Sequence, residues 1–109
     1  VDDDYVEAVL DLVATIPSGR VMTYGTVAEV VSEQAVREGG RPRGGPRQVG
    51  QVMSRAGSGV PWWRVVNAQG APPARHRVRA MEQLVAEGTP RTADGSRVAL
   101  RRAIWFPAD

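Results

Sequence analysis

The chain has 109 residues, enough for one hydrophobic core and too few for a second, and it contains no cysteine, which excludes disulfides, thiolate metal sites and a thiol nucleophile. All 14 basic residues are arginine, which excludes lysine Schiff-base chemistry, and His76 is the only histidine, which excludes a histidine metal cluster or a two-histidine relay within one chain. The formal net charge is only +2, but acidic residues crowd positions 2–11 while arginines cluster at 37–55 and 75–79, a polarity that suits a polyanionic partner. Two explanations cover the all-arginine usage: GC-rich codons, or the phosphate-binding geometry of planar guanidinium forks.

Residues 3–16 have the period of an amphipathic helix, with Val6, Val9, Leu10, Val13 and Ile16 on one stripe and aspartates at its positive end. Ile16-Pro17-Ser18-Gly19 reads as a turn and Arg20-Val21-Met22 as a short extended piece. Thr23 is placed to cap a second helix over 24–35, with Val27, Val30 and Val31 inward. The glycine- and arginine-rich stretch 37–45 reads as a flexible basic loop. Pro46 opens a third helix at its favoured first position. Val49, Val52 and Met53 fall on one arc of it, and Arg47, Gln48, Gln51, Ser54 and Arg55 on the other. That polar arc holds no acid, which fits either a solvated outer face or a helix lying against DNA; the two-helix arrangement favours DNA. Gly50, mid-helix, costs about 1 kcal/mol against alanine and marks a place where another surface could come close.

After Gly57-Ser58-Gly59, the segment Arg64-Val65-Val66 is a strand candidate and Asn67-Ala68-Gln69-Gly70 a turn. Residues 77–87 form a helix stopped by Gly88, with Val78, Met81, Leu84 and Val85 assigned inward. Asp94-Gly95 is a tight turn. Val98, Leu100, Ile104 and Trp105 pack the tail onto the core, as strand or as helix.

Four blocks of this chain then line up, in order, with one family. Ile16 through Gly25 resembles the entry to its helix-turn-helix, Arg47-Gln48-Val49-Gly50-Gln51-Val52-Met53 its recognition helix, Pro61 through Gly70 its active-site loop, and Glu87-Gly88 the end of its closing helix. The chain thus resembles, over residues 5–88, the C-terminal domain of O6-alkylguanine-DNA alkyltransferases, and more closely the alkyltransferase-like proteins. The enzymes' motif reads Pro-Cys-His-Arg-Val; here it reads Pro61-Trp62-Trp63-Arg64-Val65, with Trp62 in place of the alkyl-accepting cysteine. The resemblance implies a mainly α, winged-helix-like helix-turn-helix DNA-binding domain with short strands, one domain over 1–109.

The same resemblance implies roles. Arg47 is the arginine finger that fills the gap left by a flipped base, its alternative being a phosphate contact; stacking a planar cation there recovers part of the few kcal/mol that extrusion costs. Tyr24 helps rotate the phosphate of the flipped nucleotide. Gln48, Gln51 and Ser54 join Arg47 and Tyr24 as DNA contacts. Trp62, Trp63, Val66, Arg75 and Tyr24 form the lesion pocket, where an indole offers polarisable apolar surface but cannot displace an alkyl group. Arg64, Asn67 and Glu87 support the loop. In the enzymes a histidine at the Trp63 position links the thiol to the glutamate matched by Glu87; here Glu87 is either a hydrogen-bond acceptor or a plain helix-end carboxylate. His76 is read as a surface residue beside phosphate.

The expected function is non-enzymatic capture of O6-alkylguanine in duplex DNA by base flipping, flagging the lesion for nucleotide excision repair proteins. The expected protein is a monomer without metal or cofactor, cytoplasmic and nucleoid-associated, since no apolar run approaches the roughly 20 residues a membrane span needs. Two rivals remain: alkyl transfer to another side chain or hydrolysis, and a sequence-specific helix-turn-helix transcription regulator, dimerising on a two-fold site.

Overall fold

A computed structural model describes residues 2–108. Helix α1 (Asp3–Ala14) starts at Asp2, whose carboxylate accepts the Tyr5 amide at 2.8 Å. The chain then turns, extends as β1 (Met22–Thr23) and enters α2 (Tyr24–Arg37). Thr23 caps α2 through a reciprocal pair: its hydroxyl accepts the Thr26 amide, and the Thr26 hydroxyl accepts the Thr23 amide. Helix α3 (Pro46–Ala56) opens on its proline. Short 3₁₀ turns at Gly57–Gly59 and Trp62–Arg64 lead to β2 (Val65–Val66), and a third at Ala74–His76 leads into α4 (Arg77–Ala86). Gly88, at φ +72, ends α4, and the Gly88 and Thr89 amides close back on the Val85 and Leu84 carbonyls.

Strands β1 and β2 pair in parallel, Met22 opposite Val65 and Thr23 opposite Val66. Because side chains alternate along extended backbone, this short ladder separates two cores. Met22 and Val65 face the larger one, with Tyr5, Val9, Leu12, Val13, Val27, Val31, Val49 and Val52 from the first three helices and Ile16 from the turn after α1. Val21 and Val66 face the smaller one, with Leu84, Val98 and Ala103. The helix-turn-helix pair α2 and α3 therefore rests on one core, and α4 with the C-terminal tail on the other.

Three expectations need correction. Val78 and Val85 are exposed, at 74% and 48%, and the inward stripe of α4 is Ala80, Met81 and Leu84. At about 100° per residue the two valines share a face just beyond that stripe, and the small Ala80 takes the buried position that volume alone would give a valine. The tail is neither one strand nor one long helix: α5 (Leu100–Ala103) gives way to an extended Ile104 that bridges to Val21. The basic loop is tied down rather than free. The Arg43 guanidinium forks onto Asp2 at 2.8 and 3.1 Å and lies 5.4 Å from the Tyr5 ring centre, while its backbone is held by the Ser32 hydroxyl. Gly44 follows at φ +77, and a Cβ there would stand 2.2 Å from the Tyr5 hydroxyl, so the strap can lie this close only over a glycine. One of the loop's arginines is thus neutralised within the chain.

Candidate nucleic-acid interface

Helix α3 divides as its pattern requires. Val49 and Val52 are buried, while Arg47, Gln48, Gln51, Ser54 and Arg55 are all exposed. Its first turn carries no acid and no side-chain cap, so the amide donors of that turn have no side-chain partner at the N-cap.

Beside α3 lies a cavity of about 340 Å³. Tyr24 at the start of α2 and Gly50, Met53 and Ser54 of α3 form one side; Trp62, Pro73, Arg75, His76 and Arg79 form much of the rest. The size lies within the roughly 300–1,000 Å³ of small-molecule sites. Trp62 meets Trp63 edge-on at 5.7 Å between ring centres and His76 at 5.6 Å, two contacts that fix the plane of its indole. Nothing lies within 4 Å of the place a Cβ on Gly50 would occupy, so the missing side chain leaves open space over the helix. A second, shallower concavity runs along Thr23, Gly25, Pro46, Arg47, Asn67 and Ala68. Tyr24 and Gly50 border both hollows and partition them. Burial pushes the Tyr24 phenol above its ordinary value, so at neutral pH it is a neutral hydrogen-bond donor.

On the other side of the Pro61–Arg64 segment the side chains are locked together. The Trp63 indole N–H donates to Glu87 Oε2 at 3.0 Å, and Arg64 donates to the same carboxylate and, through Nη1, to the Ile16 carbonyl at 2.8 Å. The Gly19 amide adds a longer bond of 3.4 Å. Burial works against ionisation of Glu87, but the donors Arg64, Trp63 and Gly19 and the Arg64 charge outweigh it and hold the carboxyl below its ordinary 4.5. The Arg64–Glu87 pair is largely withdrawn from solvent, at 16% and 11% side-chain exposure. Glu87 is thus the acceptor of a four-part latch, the first of the two roles left open for it.

Comparison with known proteins decides the family. Residues 4–89 match the model of the 6-O-methylguanine DNA methyltransferase DNA-binding domain. The chain belongs to this family. A relative named DNA base-flipping protein, from Escherichia coli, is 38% identical over 95% of this chain and 76% of its own length. One of the same name from Vibrio parahaemolyticus is 33% identical over 96% and 99%. Alkyltransferase-like protein 1 of Schizosaccharomyces pombe is 40% identical over 62% of this chain and 56% of its own length. Among solved structures, S. pombe Atl1 in complex with damaged DNA containing O6-carboxymethylguanine superimposes with a TM-score of 0.75 at 33% identity, covering 98% of this chain and 99% of that one.

Against this frame each residue singled out in the sequence has a place. Tyr24, Ser54, Trp62 and Arg75 line the larger cavity, and Arg47 stands at the neighbouring concavity, across Tyr24 and Gly50. Gln48 and Gln51 are exposed on α3. Asn67 closes its turn by accepting the Gln69 and Ala71 amides at 2.9 and 3.0 Å. Two assignments to the pocket need correction. Val66 is fully buried, because the register of β2 aims it into the smaller core. Trp63 packs against that same core and its N–H is held by Glu87, so it stands behind Trp62 rather than in the lining. Conversely, Met53, Ser58, Pro73, His76 and Arg79 line the cavity without having been assigned to it. For Arg79 the only signal was its place near the start of the helix read over 77–87, next to the loop that carries Arg75; that this turn faces Trp62 is decided by the fold.

Proposed function

We propose that this protein binds duplex DNA carrying O6-alkylguanine, rotates the modified base out of the stack into the cavity walled by Trp62, and holds it there unrepaired. The observation that carries this reading is the place of Trp62. At the motif position where the repair enzymes carry their reactive cysteine, an indole faces a base-sized hollow directly beside the exposed polar face of α3. The names of the relatives support the same reading, since two are called DNA base-flipping protein and one has been crystallised on O6-carboxymethylguanine DNA.

The parts divide the work as follows. The polar face of α3, with Gln48, Gln51 and Ser54, sits against the duplex, and arginines displace counterions from phosphates, so affinity falls with salt. Arg47 stacks into the space the base vacates, and Tyr24, which partitions the two hollows, presses on the backbone of the extruded nucleotide. Trp62 stacks with the base and its alkyl group, and Arg75 contacts the guanine edge. Arg64, Asn67 and Glu87 hold the loop that presents Trp62. The chain offers no thiol to accept an alkyl group. His76, the one histidine of the chain, has its ring against Trp62, and no hydrogen bond joins it to Ser54 or Ser58 among the described residues. We further propose that the chain acts as one monomeric domain in the cytoplasm, and that the complex serves as a flag for nucleotide excision repair proteins. No helix among the described residues is long and apolar enough to cross a membrane.

The test is a competition titration of O6-methylguanine duplexes against unmodified duplexes of several sequences, with mass spectrometry of both components afterwards. Preference for the adduct in every sequence, with protein mass and lesion unchanged, is the expected result. Equal affinity with and without the adduct overturns lesion recognition. A 14-dalton gain on the protein, or loss of the lesion, overturns the non-enzymatic reading. Preference for one sequence irrespective of the adduct makes the protein a regulator instead.

A further inference from the structure

On the lesion-binding reading above, we propose that Arg79, acting with Arg75 and His76, makes the cavity select adducts by charge, favouring O6 substituents that end in an anionic group over neutral substituents of the same shape. The lining carries these three basic side chains and no aspartate or glutamate. Arg75, on the 3₁₀ turn before α4, and Arg79, in the first turn of α4, both line the cavity, and His76 between them meets Trp62 by its ring contact. Both arginines are exposed, and among the described residues neither makes a hydrogen bond or ion pair.

Water therefore satisfies these guanidinium groups until DNA covers the cavity. A base entering the hollow strips part of that water. An apolar substituent returns nothing to the cations, whereas a carboxylate accepts charge-assisted, bidentate bonds from them. The apolar surface of Trp62, Met53 and Pro73 treats the methylene of either substituent alike, so the discrimination falls to the basic side chains. Arg79 is the principal one because its backbone is set by a ten-residue helix, while Arg75 rides on a 3₁₀ turn.

The experiment measures fluorescence anisotropy of labelled duplexes that hold, at one position, guanine, O6-methylguanine, O6-carboxymethylguanine or its neutral isostere O6-carbamoylmethylguanine, at fixed salt and pH 7. The expected carboxymethyl-to-carbamoylmethyl affinity ratio is about tenfold, the worth of one well-made charge-assisted bond. In Arg79→Gln that ratio falls toward one while the methyl-to-guanine ratio holds; Arg75→Gln lowers it less. If all three adducts are preferred over guanine but the two isosteres bind equally, the charge selection is wrong and lesion binding stands. If no adduct is preferred over guanine, lesion binding itself fails and this inference goes with it. If Arg79→Gln weakens every duplex by the same factor, Arg79 is a phosphate contact and the assignment is overturned. An anionic preference that persists in both variants overturns it equally.

Discussion

Trp62 and Trp63 are chemically identical neighbours with opposite environments, and the contrast separates the part of this molecule that binds from the part that holds. Trp62 faces a hollow lined by exposed cations and glycine, and among the described residues its ring meets the rings of Trp63 and His76. Trp63 has its N–H committed to Glu87, a cation 5.5 Å from its ring centre and the smaller core against its side. A residue poised for a ligand keeps its interactions unspent; a residue that positions another has them satisfied. The cavity-facing wall can be precise because the segment carrying it is latched from behind.

The strongest way to break that contrast is to cut the latch. Glu87→Ala leaves the Arg64 guanidinium and the Trp63 N–H without their acceptor in a mostly desolvated place, and we expect a loss of about 2–3 kcal/mol in urea unfolding. Lesion preference should weaken in the same variant, as the Trp62 loop loses its anchor. Unchanged stability would mean that water replaces the carboxylate easily and the latch is decorative.

Changes on the binding side should do the reverse. Arg47→Ala and Trp62→Ala are each expected to lower the preference for O6-methylguanine DNA by about 1–3 kcal/mol, the worth of one stacking partner, with little change in urea midpoint. Arg55→Gln, on the same helix, should lower affinity for modified and unmodified duplexes equally and reduce the salt slope by about one. Should Arg47→Ala behave as Arg55→Gln does, Arg47 is an ordinary phosphate contact.

A smaller effect separates the two indoles directly. Trp63→Phe keeps an aromatic ring but removes the pyrrole half, with its packing and its hydrogen bond to Glu87, so stability should fall by about 1–2 kcal/mol while the adduct-to-guanine ratio stays constant. A change in that ratio without a change in stability would move Trp63 into the pocket, contrary to its position here.

The smallest expected effect is on pH. Glu87 ionises below its ordinary 4.5 in the folded chain, so in that range the unfolded chain binds more protons than the folded one. Its contribution to stability is therefore complete above about pH 4.5 and is lost as pH falls through the depressed folded value. Glu87→Gln should lower stability at neutral pH, where that contribution is complete, and flatten the curve in the acid window, so that the two proteins converge as pH falls. A wild-type curve that is already flat there would show that the latch does not depend on the charge.

Much of the framework was legible because it is local. The Thr23 cap, the Pro46 start, the Gly88 stop and the buried face of α3 follow from residue chemistry within a few positions and from one period of 3.6. Trp62 was legible because a motif position and its neighbours are contiguous. The cavity's far wall was not, since Pro73 and His76 lie in a segment with no periodic pattern, Arg79 lies on a helix whose outer face the period does not aim at anything, and all three meet Trp62 only when the chain folds back. Val78 and Val85 were misplaced for a related reason: an apolar side chain at helical spacing is assigned inward by default, and only the neighbouring element shows where the stripe ends.

The amino-acid sequence alone determined that this protein has no alkyl-accepting thiol, that α3 offers an acid-free polar face, and that an indole occupies the motif's reactive position, because these are properties of residue identity and short-range order. Only the tertiary structure decided which of two adjacent tryptophans faces the hollow, that Val66 is buried, that Arg43 is neutralised by Asp2, and that Arg79 joins Arg75 at the cavity. The physical reason is that side-chain direction on a strand flips with every residue, and charge pairing depends on distance in space. Both are fixed by how α4 and the N-terminal helix pack, over separations that no local pattern encodes.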